Sequence, residues 1–568
     1  MKTLDLSGQW NLKSKRDKHG VNAQVPGDTH SALLAAKKIP DPYWADNESA
    51  VQWVGREDWV YTRQFKLTPA FLSEKSIFLN CDSLDTVATV FINDRCVAHS
   101  ENMFTRQRFE ARKFLRTGLN DIRIEFASPE KAAIAAARQL PYPVPYSVFP
   151  VQSPNRNLLR KVQCHAGWDW GPCLMVSGIA GSIYLGATSE GRIEHVTTTQ
   201  KHTRKRVAID VTVEVEAPAD GAGILDITLG SQRVSQPVSL RRGLNVLHGS
   251  ITVANPKLWW PNGHGAQPLY DLIVRVAGDE VYKRLGLRTL EVINREDKDG
   301  LSMTFRVNGI DIFCKGANWI PADALPQRQN RAALDDLLSS AVFANMNMLR
   351  VWGGGQYESD DFYDLCDEKG LLIWHDFMFS CALYPATPAF LKLVRQEAQY
   401  QVKRLRDHAC LALWCGNNED VGALSWFEEA RKNRDRYLVD YDRLNEGVLG
   451  KTVDECDSTR IFWPSSPCGG RDDYSDCWHS DKRGDMHFWS VWHESKSFDA
   501  FYQVKPRFCS EFGYQSFPSL DTIRTYAPGD QFNLTAPVME YHQRNPGGNS
   551  RILEMFSRYF RTPEGFAN

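Results

Sequence analysis

The chain is 568 residues long, more than one hydrophobic core can organise, so about three or four domains are expected. Charged residues make up 24% and hydrophobic residues 42%, and a net charge of −2 with no long single-sign run gives no footing for nucleic acid or an anionic membrane. No apolar stretch approaches the roughly 20 residues of a membrane span, and Met1-Lys2-Thr3-Leu4-Asp5-Leu6 lacks a signal-peptide core. The expected compartment is therefore cytoplasmic, with a periplasmic or secreted location the alternative for a chain that has lost a leader. Thirteen cysteines at irregular spacing, with Cys314, Cys410 and Cys509 inside apolar runs, read as reduced buried thiols. His375 and Cys381 are not at metal-ligand spacing, and no metal or cofactor is called for.

Residues 1 to about 190 carry short β-like runs at 76–80, 86–93 and 121–126, with Asn93-Asp94 as a turn signal. Regular short strands over this length predict a β-sandwich of jelly-roll type. From 191 to about 292 the pattern is again β. Val207, Ile209, Val211, Val213 and Val215 alternate with Ala208, Asp210, Thr212, Glu214 and Glu216, the period of a half-buried strand. A region of this size predicts an immunoglobulin-like sandwich.

From about 293 strands alternate with helices. Leu334, Leu337, Leu338, Ala341 and Val342 fall at helical spacing, and Ser359 is placed to cap a helix that runs to Gly370. Strands are expected at 312–317, 347–352, 371–379, 410–414, 461–464, 486–489 and 507–510, with a last helix over 551–560. Repeated β/α alternation with polar residues after the apolar runs predicts a (β/α)8 barrel whose chemistry sits at the strand ends. These strands number seven and do not close an eight-stranded barrel, so the barrel is expected to be incomplete and the chain, taken alone, weakly active.

Two glutamates stand out. Glu419 ends Leu413-Trp414-Cys415-Gly416-Asn417-Asn418-Glu419, an apolar strand that opens into a polar end. Glu511 lies in Arg507-Phe508-Cys509-Ser510-Glu511-Phe512-Gly513. Glycoside hydrolysis needs two carboxyl groups facing each other across the anomeric carbon. By context alone, an isolated acid at a strand end that caps a helix or pairs with an arginine is an equal reading. The 17 tryptophans, many beside Gly, Asn or Asp, read singly as core plugs more often than as sugar platforms.

The motifs together resemble the β-mannosidases of glycoside hydrolase family 2. Trp414-Cys415-Gly416-Asn417-Asn418-Glu419 is similar to that family's acid/base motif, and Ser510-Glu511-Phe512-Gly513 to its nucleophile motif. Leu349-Arg350-Val351-Trp352-Gly353-Gly354-Gly355 and Lys315-Gly316-Ala317-Asn318-Trp319-Ile320-Pro321 resemble its second and first barrel strands. Trp259-Trp260-Pro261, Leu269-Tyr270 and Gly286-Leu287-Arg288 resemble its sandwich-to-barrel segment, and Gly167-Trp168-Asp169-Trp170-Gly171-Pro172 a loop specific to the branch.

The resemblance implies a retaining exo-β-mannosidase acting on β-mannoside oligosaccharides, with Glu419 as acid/base and Glu511 as nucleophile. It implies that Arg350 supports Glu511, that Asn418 holds the 2-hydroxyl, and that Trp168, Asp169, Trp170 and Trp352 bind the terminal sugar. Arg350 would lower the pKa of Glu511, while aromatic cover and the second carboxylate would raise that of Glu419. Trp319 and Trp414 are assigned to barrel packing. Trp426, Trp489, Trp492, His487 and His493 are placed near the cleft without roles, and no supporting tyrosine is identified. Another family 2 exo-glycosidase (a β-galactosidase, β-glucuronidase or exo-glucosaminidase) is one rival, a non-catalytic carbohydrate-binding relic the other. Homo-oligomerisation is left open.

Overall fold

The computed structural model describes residues 1–16, 19–147, 151–475, 477–561 and 564–567. The chain begins with a sandwich of two antiparallel sheets. One orders Lys2–Asp5, Ile183–Thr188, Ser76–Cys81 and Gln107–Glu110. The other orders Val21–Val25, Gly8–Ser14, Trp59–Leu67, Gly118–Phe126, Ala88–Ile92 and Arg95–Ser100. Period-2 alternation turns Ile122, Ile124 and Phe126 inward, against Ile77, Leu79, Ile183 and Leu185 of the opposite sheet.

A second sandwich follows. Arg192–His202, Arg206–Ala217 and Gly243–Ala254 face a sheet of Gln232–Leu240, Gly221–Leu229, Leu269–Val276 and Asp279–Gly286. The alternating valines behave as their spacing predicts: Val207, Ile209, Val211, Val213 and Val215 are all buried, against Leu225, Ile227, Leu272 and Val274.

The catalytic-type barrel is built from parallel strands β1 (Gly316–Trp319), β2 (Met348–Val351), β3 (Leu372–Asp376), β4 (Leu411–Cys415) and β5 (Phe462–Trp463), which form one sheet. Strands β6 (Met486–Phe488) and β7 (Cys509–Phe512) form a parallel pair. One expectation shifts: the first barrel strand begins at Gly316, because Ile310–Ile312 pairs with Thr304–Val307 in a short antiparallel sheet below the barrel. There Phe305 and Ile312 pack on Trp374, Leu413 and Trp463, and Phe313, where the chain turns away, is 82% exposed.

The helix at Arg331–Phe343 forms as its spacing predicts, but Leu337 points outward at 44% exposure while Leu334 and Leu338 are buried. The helix Asp360–Lys369 begins after Ser359, although no side-chain capping bond forms there, and ends on Gly370 at φ +72°. Among the described residues β1 and β7 share no backbone ladder. Their link is Asn318 Nδ2 donating to the Ser510 carbonyl at 3.2 Å, and Gly316 to Asn318 are exposed. No helix among the described residues is long and apolar enough to cross a membrane.

Candidate active site

Parallel strands all deliver their C-terminal ends to one face, so side chains just past β2, β3, β4, β6 and β7 converge there. A cavity of about 820 Å³ opens on that face, lined by Trp168, Asp169, Trp170, Trp352, Asn418, Glu419, Trp489 and Glu511 among others. The loop carrying Trp168 to Trp170 comes from the first sandwich and reaches across the barrel. Trp168 and Trp352 meet edge to face with ring centres 4.9 Å apart, and Trp170, 41% exposed, meets Trp352 at 5.5 Å. Arg156 lies over the other indole, 4.5 Å from Trp168.

Arg350, on β2, is buried beneath this cavity and is its organising cation. Its guanidinium donates to Glu511 Oε1 at 2.5 Å, to Asp376 Oδ2 at 2.8 Å and Oδ1 at 3.3 Å, to Asn418 Oδ1 at 2.7 Å and to Asn318 Oδ1 at 2.9 Å. Because Asn418 Oδ1 is engaged by Arg350, its Nδ2 is turned toward Ser380 and Cys381, each at 3.2 Å. The planar fork of arginine suits this role, since five donors in fixed geometry can satisfy five acceptor atoms on four side chains at once.

Glu419 and Glu511 each bring a carboxylate oxygen within 4.8 Å of the other. His487 sits between them, its Nδ1 2.7 Å from Glu419 Oε1 and 3.3 Å from Glu511 Oε2. Cys381 donates its thiol to Glu419 Oε2 at 3.1 Å, and the Trp489 indole donates to Glu511 Oε2 at 3.0 Å. Glu419 holds a left-handed backbone at φ +65°, and Cys381 one at φ +50°. Non-glycine residues rarely adopt this region, and such strain gathers where a side chain must be aimed. Bonds from the Glu419 amide to the Ser466 carbonyl at 2.9 Å and from the Cys381 amide to the Asn418 carbonyl at 2.9 Å hold the two turns.

The electrostatics differ from the sequence expectation at one carboxylate. Burial, and after it the charge of Glu511, pushes Glu419 well above the usual carboxylate range. Burial also raises Glu511, and the pull of Arg350 and of the Trp489 indole only partly offsets it, so Glu511 is not lowered as Arg350 alone would suggest. Both carboxylates are thus raised, Glu419 with the added repulsion of Glu511 and Glu511 against the pull of Arg350. Burial, then the charge of Arg350, holds His487 well below its usual range and therefore neutral.

All eight residues singled out in the sequence meet at this site, with Arg350 one layer below the cavity wall. Trp414 is fully buried and Trp319 packs on Phe362 at 4.8 Å, as assigned. Sequence reasoning left His487 without a role and missed Cys381, Asp376, Asn545 and Gln515. Asp376 was findable as the only acid in the strand Leu372–Asp376; the others carry no spacing signal. His375 points from β3 toward the helix Asp360–Lys369, bonded to the Tyr363 hydroxyl at 2.7 Å. A second close donor set, Asp367, His408 and Cys410, is internally hydrogen-bonded: Asp367 takes the His408 ring and the Cys410 amide, each at 2.7 Å.

Residues 10–181 match the family model for a glycosyl hydrolase 2 galactose-binding domain-like region, and residues 191–288 match that for glycosyl hydrolases family 2. The chain is 33% identical over 593 residues to a β-mannosidase of Rattus norvegicus, covering 99% of this chain and 66% of that one. It is 34% identical over 583 residues to β-mannosidase B of Emericella nidulans, covering 98% and 68%. It thus spans about two thirds of the length of these curated relatives. The crystal structure of a β-D-mannosidase from Dictyoglomus thermophilum superposes with a TM-score of 0.93 at 35% identity, over 100% of this chain and 70% of that one. The chain belongs to glycoside hydrolase family 2, on its β-mannosidase branch.

Proposed function

We propose that the protein is a retaining exo-β-mannosidase that removes terminal β-D-mannose from β-mannosides, with Glu511 as nucleophile and Glu419 as acid/base. The observation that carries this reading is the pair of carboxylate oxygens within 4.8 Å of each other on the wall of the cavity. Retaining pairs stand about 5–5.5 Å apart, whereas inverting pairs leave roughly 6.5–9.5 Å for a water. The β-mannosidase names of the relatives support the sugar assignment.

In the first step Glu511 attacks the anomeric carbon while Glu419 gives its proton to the leaving oxygen, and a glycosyl ester forms on Glu511. In the second, Glu419 takes a proton from water, which attacks the same carbon and releases Glu511. Arg350 keeps Glu511 aimed and charged, Asn418 meets the 2-hydroxyl as the oxocarbenium character develops, and Trp168 and Trp352 face the apolar side of the ring. The same reading divides the chain into units at 1–190, 191–292 and 293–568, and the sheet memberships support it.

A panel of para-nitrophenyl glycosides tests the reading, with β-mannoside expected to be cleaved in preference to β-galactoside, β-glucoside and β-glucuronide. Glu511→Ala is expected to lose activity on every substrate. Glu419→Ala is expected to keep glycosylation by aryl glycosides with good leaving groups, and azide to restore its turnover. Equal losses by Glu419→Ala on good and poor leaving groups would contradict its acid role.

A further inference from the structure

Behind the two glutamates, outside the lining of the cavity, runs a hydrogen-bond chain that ends on Glu419. Ser466 follows β5, Asp485 precedes β6, His487 lies on β6 and Ser510 on β7, and the first three are fully enclosed. Asp485 Oδ1 accepts from the Trp463 indole at 2.9 Å and from the Cys468 amide at 3.0 Å, two groups that can only donate. Asp485 Oδ2 accepts from the hydroxyls of Ser466 at 2.6 Å and Ser510 at 2.5 Å. Burial raises Asp485, and these same four donors oppose the rise.

Each serine has one proton to give. Ser466 Oγ is also 2.9 Å from His487 Nε2 and 3.2 Å from Ser510 Oγ, but the carboxylate is nearest and the strongest acceptor. With its proton on Asp485, Ser466 can only accept from His487, so Nε2 carries the hydrogen and Nδ1 of the neutral ring is bare. That Nδ1 lies 2.7 Å from Glu419 Oε1. Two acceptors this close need a proton between them, and it belongs to Glu419. Glu511 has no such need, since its oxygens accept from Arg350 at 2.5 Å and from the Trp489 indole at 3.0 Å. Among the described residues the other bond to the Glu419 carboxylate is the Cys381 thiol at 3.1 Å. The charged or titratable groups that face His487 are Glu419, Glu511 at 3.3 Å and Arg350, with Asp485 behind Ser466, and the Trp478 ring lies 5.4 Å from the imidazole.

We propose that Asp485 and Ser466 are positioning residues for the acid/base. By holding His487 as its Nε2–H tautomer they keep the acid proton on Glu419 and leave Glu511 ionised. This deepens the reading given above and rests on Glu419 being the acid. Asp485→Asn keeps the shape of the side chain, with its carbonyl toward Trp463 and Cys468 and its amine toward the two serines. The amine then donates to Ser466, Ser466 turns its own proton to His487 Nε2, and the ring hydrogen moves to Nδ1. An Nδ1–H donates to Glu419 and favours its charged form. One substitution thus reverses the polarity of the whole chain.

The test follows kcat/KM against pH for methyl β-D-mannoside, whose leaving group needs a proton, and for para-nitrophenyl β-D-mannoside, whose leaving group needs it far less. The alkaline limb on the methyl glycoside reports loss of the Glu419 proton. Asp485→Asn is expected to move that limb down by about one pH unit and to cost about tenfold on the methyl glycoside at neutral pH. The para-nitrophenyl glycoside is expected to change by no more than about threefold, which also shows that the variant is folded. Ser466→Ala removes the link without reversing it, is expected to move the limb the same way by less, and decides the matter if Asp485→Asn does not fold. A limb that stays at the wild-type position, or equal losses on both glycosides, overturns the proposal. Failure of the acid reading shows separately, as equal losses by Glu419→Ala on the two glycosides.

Discussion

Glu419 is a carboxylic acid kept where its charged form is disfavoured, and that has a cost which can be measured. Its folded-state pKa is raised above the value of 4.5 that an unfolded chain shows. Its contribution to stability is therefore fully present below about pH 4.5 and is lost as pH rises through the folded value. Glu419→Gln keeps the shape without the ionisation. It is expected to raise Tm relative to the wild type by an amount that grows above pH 4.5, while abolishing turnover of substrates with poor leaving groups. Thermal unfolding across pH 4 to 8 checks this, and a Tm difference that does not depend on pH would place the raised pKa elsewhere. The neutral His487 between the two acids fits the same account, because a charged imidazole there would hold both carboxylates ionised.

At the scale of elements, the strand ends were legible and the supports behind them were not. Asn418, Glu419, Arg350 and Glu511 sit where an apolar run meets polar residues, and a parallel barrel sends every such junction to one face. Cys381 and His487 reach Glu419 from the ends of β3 and β6, and nothing in the sequence near them marks a partner 38 or 68 residues away. Asn545 is further removed still, 376 residues from Asp169. The direction of the Glu511 shift was misjudged for a related reason: a neighbouring arginine can be inferred from motifs, whereas complete burial is a property of the assembled fold.

The loop with Asp169 also yields a prediction. Burial raises this carboxylate, so its presence does not favour the empty fold. Asp169→Ala should leave Tm nearly unchanged and lower kcat/KM for β-mannoside by about 1.5–3 kcal/mol of transition-state binding, the range for hydrogen bonds to a charged group. A large fall in Tm with near-normal kinetics would make the residue structural.

For the whole molecule, one buried carboxylate gathers several of the bonds that fasten the first sandwich to the barrel. Glu397 accepts from Arg160 Nε at 2.8 Å and Nη2 at 2.7 Å, from Asn102 at 2.9 Å and from the Tyr357 hydroxyl at 2.9 Å. Arg160 and Glu397 are almost fully enclosed, so removing one leaves the other charged and unpaired. Glu397→Ala is expected to cost about 3–5 kcal/mol in denaturant unfolding and to separate the unfolding of the sandwich from that of the barrel. It should also weaken sugar binding, because Arg160 lies a few residues before the loop that carries Asp169. A single unshifted transition would show that the two units are joined mainly by other contacts.

The loop of Trp168 to Trp170 has one more consequence, in the order of events at the ribosome. Asp169 is made early, with the first sandwich, well before the barrel strands that carry Glu419 and Glu511. Its partner Asn545 is made only after Glu419 and Glu511. Under the proposed function the sugar pocket is therefore completed late in synthesis, when the wall behind Asp169 forms.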